Sequence, residues 1–450
     1  MTLILIAALF TKLICLGLNL MRKLTIRENQ RVMLIGIQTN EMDHHEMEAS
    51  LIELTRLVQT SRGNVVVKTY QQIHFPNPAT FIGKGKVEEI RDMIAHNDVS
   101  VAVVDGELTP VQNRNLENIW GVLVLDRSAV ILDIFAMRAH TKEGKLQVEL
   151  AQLEYLAPRL VGRGKMLSQQ MGGIGTRGPG ETQLESDRRR IKDRISHLKK
   201  KLKEVEAQRN IHWLKRESVP VPLVSIIGYT NSGKSTLLNH ITDSDVFVED
   251  KLFATLDPTI RRMRLPSGRE ILIADTVGFI RRLPHQLIES FKATFEEVSH
   301  AHLLMHLIDG TEKDVDEHIA VVRNVLKDMK LDHKPLLEVV SKFDSPEYVF
   351  AGKSDRLAIS ALTSYGIDAL LKNLDVILHK EFKRVIIHLP HSRGDILSTL
   401  YRLGYVWKVQ HTGEGIWVDC ELHDKFIGKY EKFIVSEGEG EGEGEGEGEQ

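Results

Sequence analysis

The run Leu223-Val-Ser-Ile-Ile227 leads without a break into Gly228-Tyr229-Thr230-Asn231-Ser232-Gly233-Lys234-Ser235-Thr236 and then into an apolar helical stretch. The first five residues read as a buried strand. The loop after them fits GxxxxGK[ST] in the strand–loop–helix setting that the pattern needs. Its glycines let backbone N–H groups turn inward around a phosphate at the N-terminus of the coming helix. Lys234 then places a cation between the β- and γ-phosphates, and the Ser235 hydroxyl is a ligand for Mg²⁺. This stretch predicts a P-loop nucleotide-binding domain on an α/β sheet.

Toward the C-terminus, Ile271-Leu-Ile-Ala274 reads as another strand, ending in Asp275-Thr-Val-Gly278. Asp275 is placed to hold Mg²⁺ through water, and the Gly278 N–H to approach the γ-phosphate. Between the two motifs lies Leu252-Phe-Ala-Thr255-Leu-Asp-Pro-Thr259, a switch segment whose threonine reaches Mg²⁺ when the γ-phosphate is present. Thr255 is taken as that residue, with Thr259 as second choice. Strands are expected at 303–308 and 336–340, the latter ending in Ser341-Lys342-Phe343-Asp344. A carboxylate there accepts two hydrogen bonds from guanine N1 and N2, which adenine does not offer. Ser360-Ala361-Leu362 follows as a base-contacting loop. Four motifs in this order mark a GTPase. Lys234, Thr255 and Gly278 form the expected catalytic set, and Ser235, Thr255 and Asp275 the metal set. Phe279 follows the motif's glycine and has no donor or acceptor with which to orient water.

Upstream, short β-rich runs at 31–38, 65–68, 99–104 and 122–125 alternate with helical stretches near 46–60, 86–96 and 110–119. That spacing predicts a small α/β domain with a mostly parallel sheet. Gly83 and Gly85 in FIGKGK read as a turn opening a helix at Lys86 rather than as a phosphate site. Leu146, Leu150 and Leu153 repeat at helical spacing, and Ile191, Ile195, Leu198, Leu202 and Val205 repeat at 4-3-4-3. Two such seams predict paired antiparallel helices. Between them lies VGRGKMLSQQMGGIGTRGPGETQ, too rich in glycine for regular structure, with Arg159, Arg163, Lys165 and Arg177 as its cations. Glycines allow close backbone approach and uncompensated cations suit phosphates. From Asp187 to Glu217 there are twelve Lys or Arg against five acids, so nucleic acid and a plain solvated face are both open readings. His300, His302 and His306 read as histidines along one strand, in the core or at an edge, rather than as metal ligands.

The composition is ordinary for a globular chain: of 450 residues, 42% are hydrophobic and 27% charged. That excludes a fibrous or wholly disordered protein. Two cysteines exclude a disulfide framework and any CxxC zinc site, and they suit a reducing compartment. The formal charge of -3 includes seven glutamates between Glu437 and Glu449, so the rest of the chain is mildly basic. Residues 1–20 are apolar but carry Lys12 centrally and no basic leader. They read as a loose extension rather than an anchor, with the protein in the cytoplasm.

LFATLDPT at 252–259, DTVGFI at 275–280, GGIGTRGPGETQLE at 172–185 and VDGELTPVQNRNLE at 104–117 together resemble the HflX family of translation-factor-related GTPases. The resemblance covers about 31 to the low 430s. It implies a GTPase that engages the large ribosomal subunit, including its RNA, and is associated with splitting or rescuing stalled ribosomes under stress. The glycine-rich loop would then point toward the peptidyl-transferase area. Ser341 departs from the family's NKxD asparagine, which removes an amide that braces the phosphate loop. The Glu-Gly tail and the first twenty residues are not family features. The expected organisation is an apolar extension at 1–20, an α/β domain at 21–140, and a helical hairpin at 141–218 whose tip loop spans 161–183. A GTPase domain at 219–380, a small α/β domain at 381–435 and a disordered tail at 436–450 complete it. A monomer binding GTP, GDP and Mg²⁺ without membrane insertion is expected. The competing reading is a nucleotide-controlled regulatory module for a non-ribosomal protein. An ATP-dependent RNA activity at 31–218 ranks last, because no complete ATP motif lies there.

Overall fold

The computed structural model describes residues 26–40, 42–160, 179–217, 221–242, 252–253, 255–256, 258–282, 296–349, 356–379 and 382–437. By its contacts the chain falls into two units. One holds residues 1–205, 248–257 and 277–295; the other holds 206–247, 258–276 and 296–450. The apolar extension, residues 161–178 of the expected tip loop, and residues 438–450 of the tail lie outside the described residues. Among the described residues no helix is long and apolar enough to cross a membrane.

The first unit is built on β1 (Arg31–Gln38), β2 (Asn64–Gln72), β3 (Val101–Val104) and β4 (Leu123–Asp126). They form one sheet in the order β2-β1-β3-β4, with every pair parallel. Parallel strands need crossovers, which α1 (His44–Thr60), α2 (Lys84–His96) and α3 (Pro110–Trp120) supply. Asp43 with Glu46 and Thr109 with Gln112 make capping boxes that start two of them. Helix α2 begins at Lys84 on the Gly83 cap, two residues before the expected Lys86. A further helix, α4 (Arg127–Arg138), follows β4 directly, capped by the Asp126 side chain. Its nearly continuous burial hid it from a periodicity reading.

Helices α5 (Lys142–Leu156) and α6 (Pro179–Glu217) follow. Leu150, Leu153 and Leu198 form a buried cluster with Leu146, Ile191, Ile195 and Leu202 packed on it. Glu149–Arg194 and Glu154–Lys199 ion pairs flank it at 2.7 and 2.8 Å. Because α6 starts at Pro179, residues 179–183 of the expected loop are helical. Proline is favoured in the first turn of a helix. Arg159 is no loop cation. It lies just past α5, donates to the Leu108 and Tyr155 carbonyls, and pairs with Asp126 at 2.9 Å. Burial pushes the Asp126 carboxyl up and Arg159 partly offsets this, so the guanidinium is committed to a buried counter-charge.

The second unit carries β5 (Leu223–Gly228), α7 (Lys234–Thr242), β6 (Thr259–Arg264), β7 (Glu270–Asp275), α8 (Glu296–His300) and β8 (Leu303–Asp309). Then come α9 (Val315–Asp328), β9 (Leu336–Ser341), β10 (Leu357–Ala358) and α10 (Ile367–His379). The sheet order is β10-β9-β8-β5-β7-β6, parallel except for β6. Strands β5 and β8 are buried along their whole length, as expected for central parallel strands covered on both faces. His300 ends a helix, His302 accepts from the Leu223 N–H, and His306 sits within β8. The three do not share one strand as expected, because α8 runs to His300 and β8 starts only at Leu303.

A second sheet in this unit combines β11 (Phe382–Leu389), α11 (Gly394–Leu403), β12 (Gly404–Thr412), β13 (Gly415–His423), α12 (Asp424–Tyr430) and β14 (Ile434–Glu437). Its order is β12-β13-β11-β14, with all pairs antiparallel.

Candidate nucleotide site

The phosphate loop leaves the carboxyl end of β5, where β7 lies on one side and β8 on the other. In open parallel sheets ligands bind at such a reversal of strand order. Gly228 is required on steric grounds: a Cβ there would stand 2.3 Å from the Leu307 carbonyl oxygen. Gly233 has φ +88 with open space around it, so its need is conformational. Asn231 also adopts a left-handed conformation, φ 64, which asparagine tolerates.

Lys234 is buried and donates to the Tyr229 carbonyl at 2.8 Å and the Gly228 carbonyl at 3.3 Å. Burial lowers its pKa to about 8, partly offset by the Asp275 carboxylate. Ser235 Oγ donates to Asp275 Oδ2 at 2.6 Å. A hydroxyl and a carboxylate side by side are hard oxygen donors of the kind Mg²⁺ prefers, so the pair fits that ion. Thr276 Oγ1 donates to the Ile226 carbonyl at 2.7 Å, which ties the end of β7 to β5. Thr259, the second-choice switch threonine, opens β6 in register with Asp275.

The segment that starts at Ser341 meets the same loop. Ser341 Oγ lies 2.8 Å from the Ser232 carbonyl and 3.0 Å from that of Ile308. The hydroxyl therefore reaches the phosphate loop, so the brace expected to be lost with the asparagine persists through a shorter side chain. Lys342 pairs with Asp309 at 2.6 Å, and Asp344 is exposed. Ser360 Oγ accepts from the Leu362 and Thr363 N–H groups, shaping the 360–362 loop around Ala361. Phe343 stacks on Tyr365 at 4.4 Å. Residues 228–236, Asp275, Ser341 and Lys342 are thus brought together. Thr255, half-buried, and Gly278 and Phe279, both buried, belong to the other unit.

There, Phe279 is 1% exposed and Phe253 is 2% exposed. The Phe253 ring meets Phe135 of α4 edge-on at 4.7 Å. Arg281 lies 3.9 Å from Glu53, and burial lowers the pKa of Arg282.

Sequence reasoning missed two contributors to the nucleotide site. Asp309 binds Lys342 and takes two hydrogen bonds from Thr311. Its position at the carboxyl end of a parallel strand was the available signal. His318 of α9 stacks on Tyr229 at 3.8 Å and 9°, and no sequence pattern announces that contact.

Residues 48–136 match the family described as GTP-binding GTPase N-terminal, 138–216 its middle region, and 223–342 the family described as 50S ribosome-binding GTPase. A GTPase HflX of Caldanaerobacter subterraneus is 45% identical over 91% of this chain and 95% of its own length. A GTPase HflX of Escherichia coli is 45% identical over 74% of this chain and 80% of its own. Among solved structures, a GTP-binding protein from Sulfolobus solfataricus in complex with GDP is similar at 23% identity and TM-score 0.40. That match covers 78% of this chain and 99% of that one, a distant likeness.

Proposed function

The chain belongs to the HflX family of GTPases and is a GTP hydrolase, and from that premise we propose that its hydrolysis serves the large ribosomal subunit. The carrying observation is the buried Lys234, Ser235 and Asp275 group, together with a GTPase domain that matches a family described as 50S ribosome-binding. Residues 228–236 wrap the phosphates, with Lys234 between β and γ. Ser235 would hold Mg²⁺ directly, Asp275 through water, and Thr255 when the γ-phosphate is present. The ion would neutralise charge on the transferring phosphoryl group. Asp344 reads guanine, with Ser341, Lys342 and the 360–362 loop around the base. Gly278 senses the γ-phosphate.

The ribosome reading is supported by helix α6, whose Arg188, Arg189, Lys200, Lys201 and Lys203 are exposed. We take α5 and α6 as an antiparallel hairpin carrying the glycine-rich loop at its tip, aimed at ribosomal RNA in the cytoplasm. The output is the splitting or rescue of stalled ribosomes. Co-sedimentation with purified large subunits, in a GTP analogue against GDP, tests this directly. Deleting Gly172–Gly180 should leave GTP binding intact and abolish co-sedimentation. A deletion variant that still associates as the parent does removes the loop from the mechanism. Failure of the parent protein to bind subunits in either state would favour the non-ribosomal adaptor.

A further inference from the structure

The C-terminal sheet has the β-α-β-β-α-β connectivity, and both of its helices cover one side. Ile396 and Leu400 of α11 and Tyr430 of α12 join Val385, Ile387 and Val418 in one buried cluster. Side chains alternate along strands, so Arg384 and His388 of β11 and Trp417 of β13 fall on the opposite face. His388 and Trp417 are register partners on the two central strands, with ring centroids 4.6 Å apart.

The edge strand adds a third aromatic at a bulge. Val406 pairs with Cys420 and Lys408 with Asp419, which leaves Trp407 as the extra residue. Two residues beyond Tyr405, Trp407 lies on the face of Tyr405 and Arg384, and the bulge places Lys408 there beside it. The Trp407 ring meets Tyr405 at 4.8 Å and lies 5.4 Å from the Arg384 guanidinium. The β6–β7 turn meets one end of this face, where Arg269 pairs with Glu421 and Gly268 lies beside Tyr405. Beyond it Trp407 is 43% exposed and Lys408 is exposed.

The acids on this face are paired, Glu421 with Arg269 and Asp419 with Arg384. Lys408 is exposed on the face, and Arg262 and Arg264, at 65% and 76% exposure, pair with Glu270 at 3.0 and 3.4 Å. Both arginines line the adjoining cavity of about 480 Å³ with Tyr405. Aromatics on a four-stranded sheet stack bases, and neighbouring cations track a phosphate backbone.

We propose that this open face binds single-stranded RNA, with bases stacked on the His388–Trp417 pair and on Trp407 and phosphates passing Lys408. The proposal concerns a surface remote in sequence from α6 and does not rest on the ribosome reading. It is tested on the full chain with GDP, titrated with a uridine decamer and followed by tryptophan fluorescence. Quenching is expected, with affinity falling as salt rises. Trp407→Ala and His388→Ala should each weaken binding by about 5- to 150-fold, the range for one base stack, with GTP binding unchanged. Trp417→Phe keeps an aromatic face and should bind nearly as the parent. Cross-linking with 4-thiouridine should label residues 404–417. Unchanged affinity in both alanine variants, cross-links confined to residues 188–203, or equal competition by duplex RNA would overturn the proposal.

Discussion

Replacing Ser341 with alanine asks how firmly the base-reading strand is tied to the phosphate loop. The serine is 5% exposed, and its Oγ stands 2.8 Å from the Ser232 carbonyl and 3.0 Å from the Ile308 carbonyl. One hydroxyl has one proton, so it donates to one of these carbonyls at a time. A neutral buried hydrogen bond contributes about 0.5–1.5 kcal/mol net. Where that energy holds the loop in its nucleotide-binding shape, its loss should speed GDP release by about 2- to 13-fold. Chasing fluorescent GDP with unlabelled GDP in a stopped-flow instrument measures this, with a thermal melt of each variant alongside. Ser341→Asn supplies two protons and should slow release, provided the longer side chain packs. An alanine variant that releases GDP at the parental rate would refute the coupling, and a lowered melting temperature with an unchanged rate would assign the hydroxyl to the fold alone.

Asp344→Asn should weaken GTP by about 1–3 kcal/mol, since an amide cannot accept both guanine bonds, and should favour xanthosine triphosphate; unchanged GTP affinity would sink the base-reading assignment. Lys234, with its pKa lowered to about 8, is half deprotonated at that pH without nucleotide. Phosphates beside it raise the pKa again, so GTP binding should take up about half a proton near pH 8 and almost none near pH 6. Titration calorimetry in two buffers of different ionisation enthalpy reads the uptake, and identical heats at pH 8 would contradict it. Free protein should hydrolyse GTP slowly, near the ~10⁻⁴ s⁻¹ of an unassisted switch GTPase. Large subunits should stimulate it strongly in single turnover, and a fast, unstimulated enzyme would end the idea of partner activation.

The parts of this fold that were legible are those where local chemistry and long-range packing agree. Leu223–Gly228 is apolar because both faces are covered, and Gly228 must be glycine because the Leu307 carbonyl leaves no room for a Cβ. Strand, turn and pattern all say the same thing there. Arg159 was misread because its counter-charge, Asp126, lies 33 residues away in sequence, and a window along the chain sees only the cation. Trp407 was passed over for a similar reason. Counted on from Tyr405 it falls on the outer side and counted back from Val409 on the core side, and only the bulge opposite Asp419 decides between them. Ser341 was legible as a departure from a pattern, but its consequence was not. Whether a hydroxyl still reaches a carbonyl 109 residues away is a matter of tenths of an ångström, and those are set by the packed sheet.

Phe279 brings these threads to the chemistry. Its side chain cannot orient water, and it is 1% exposed in a unit where Phe253 is equally enclosed. Moving either ring into solvent would cost about 1.5–3 kcal/mol. Segments held by two such rings should stay in place on their own, and the isolated protein is expected to keep its triphosphate. A partner binding at micromolar strength releases about 8 kcal/mol, enough to offset both exposures if its surface meets the reordered segment and covers the rings. Slow hydrolysis in isolation and fast hydrolysis on the partner are then the outcomes expected from one physical cause, the burial of these two phenylalanines.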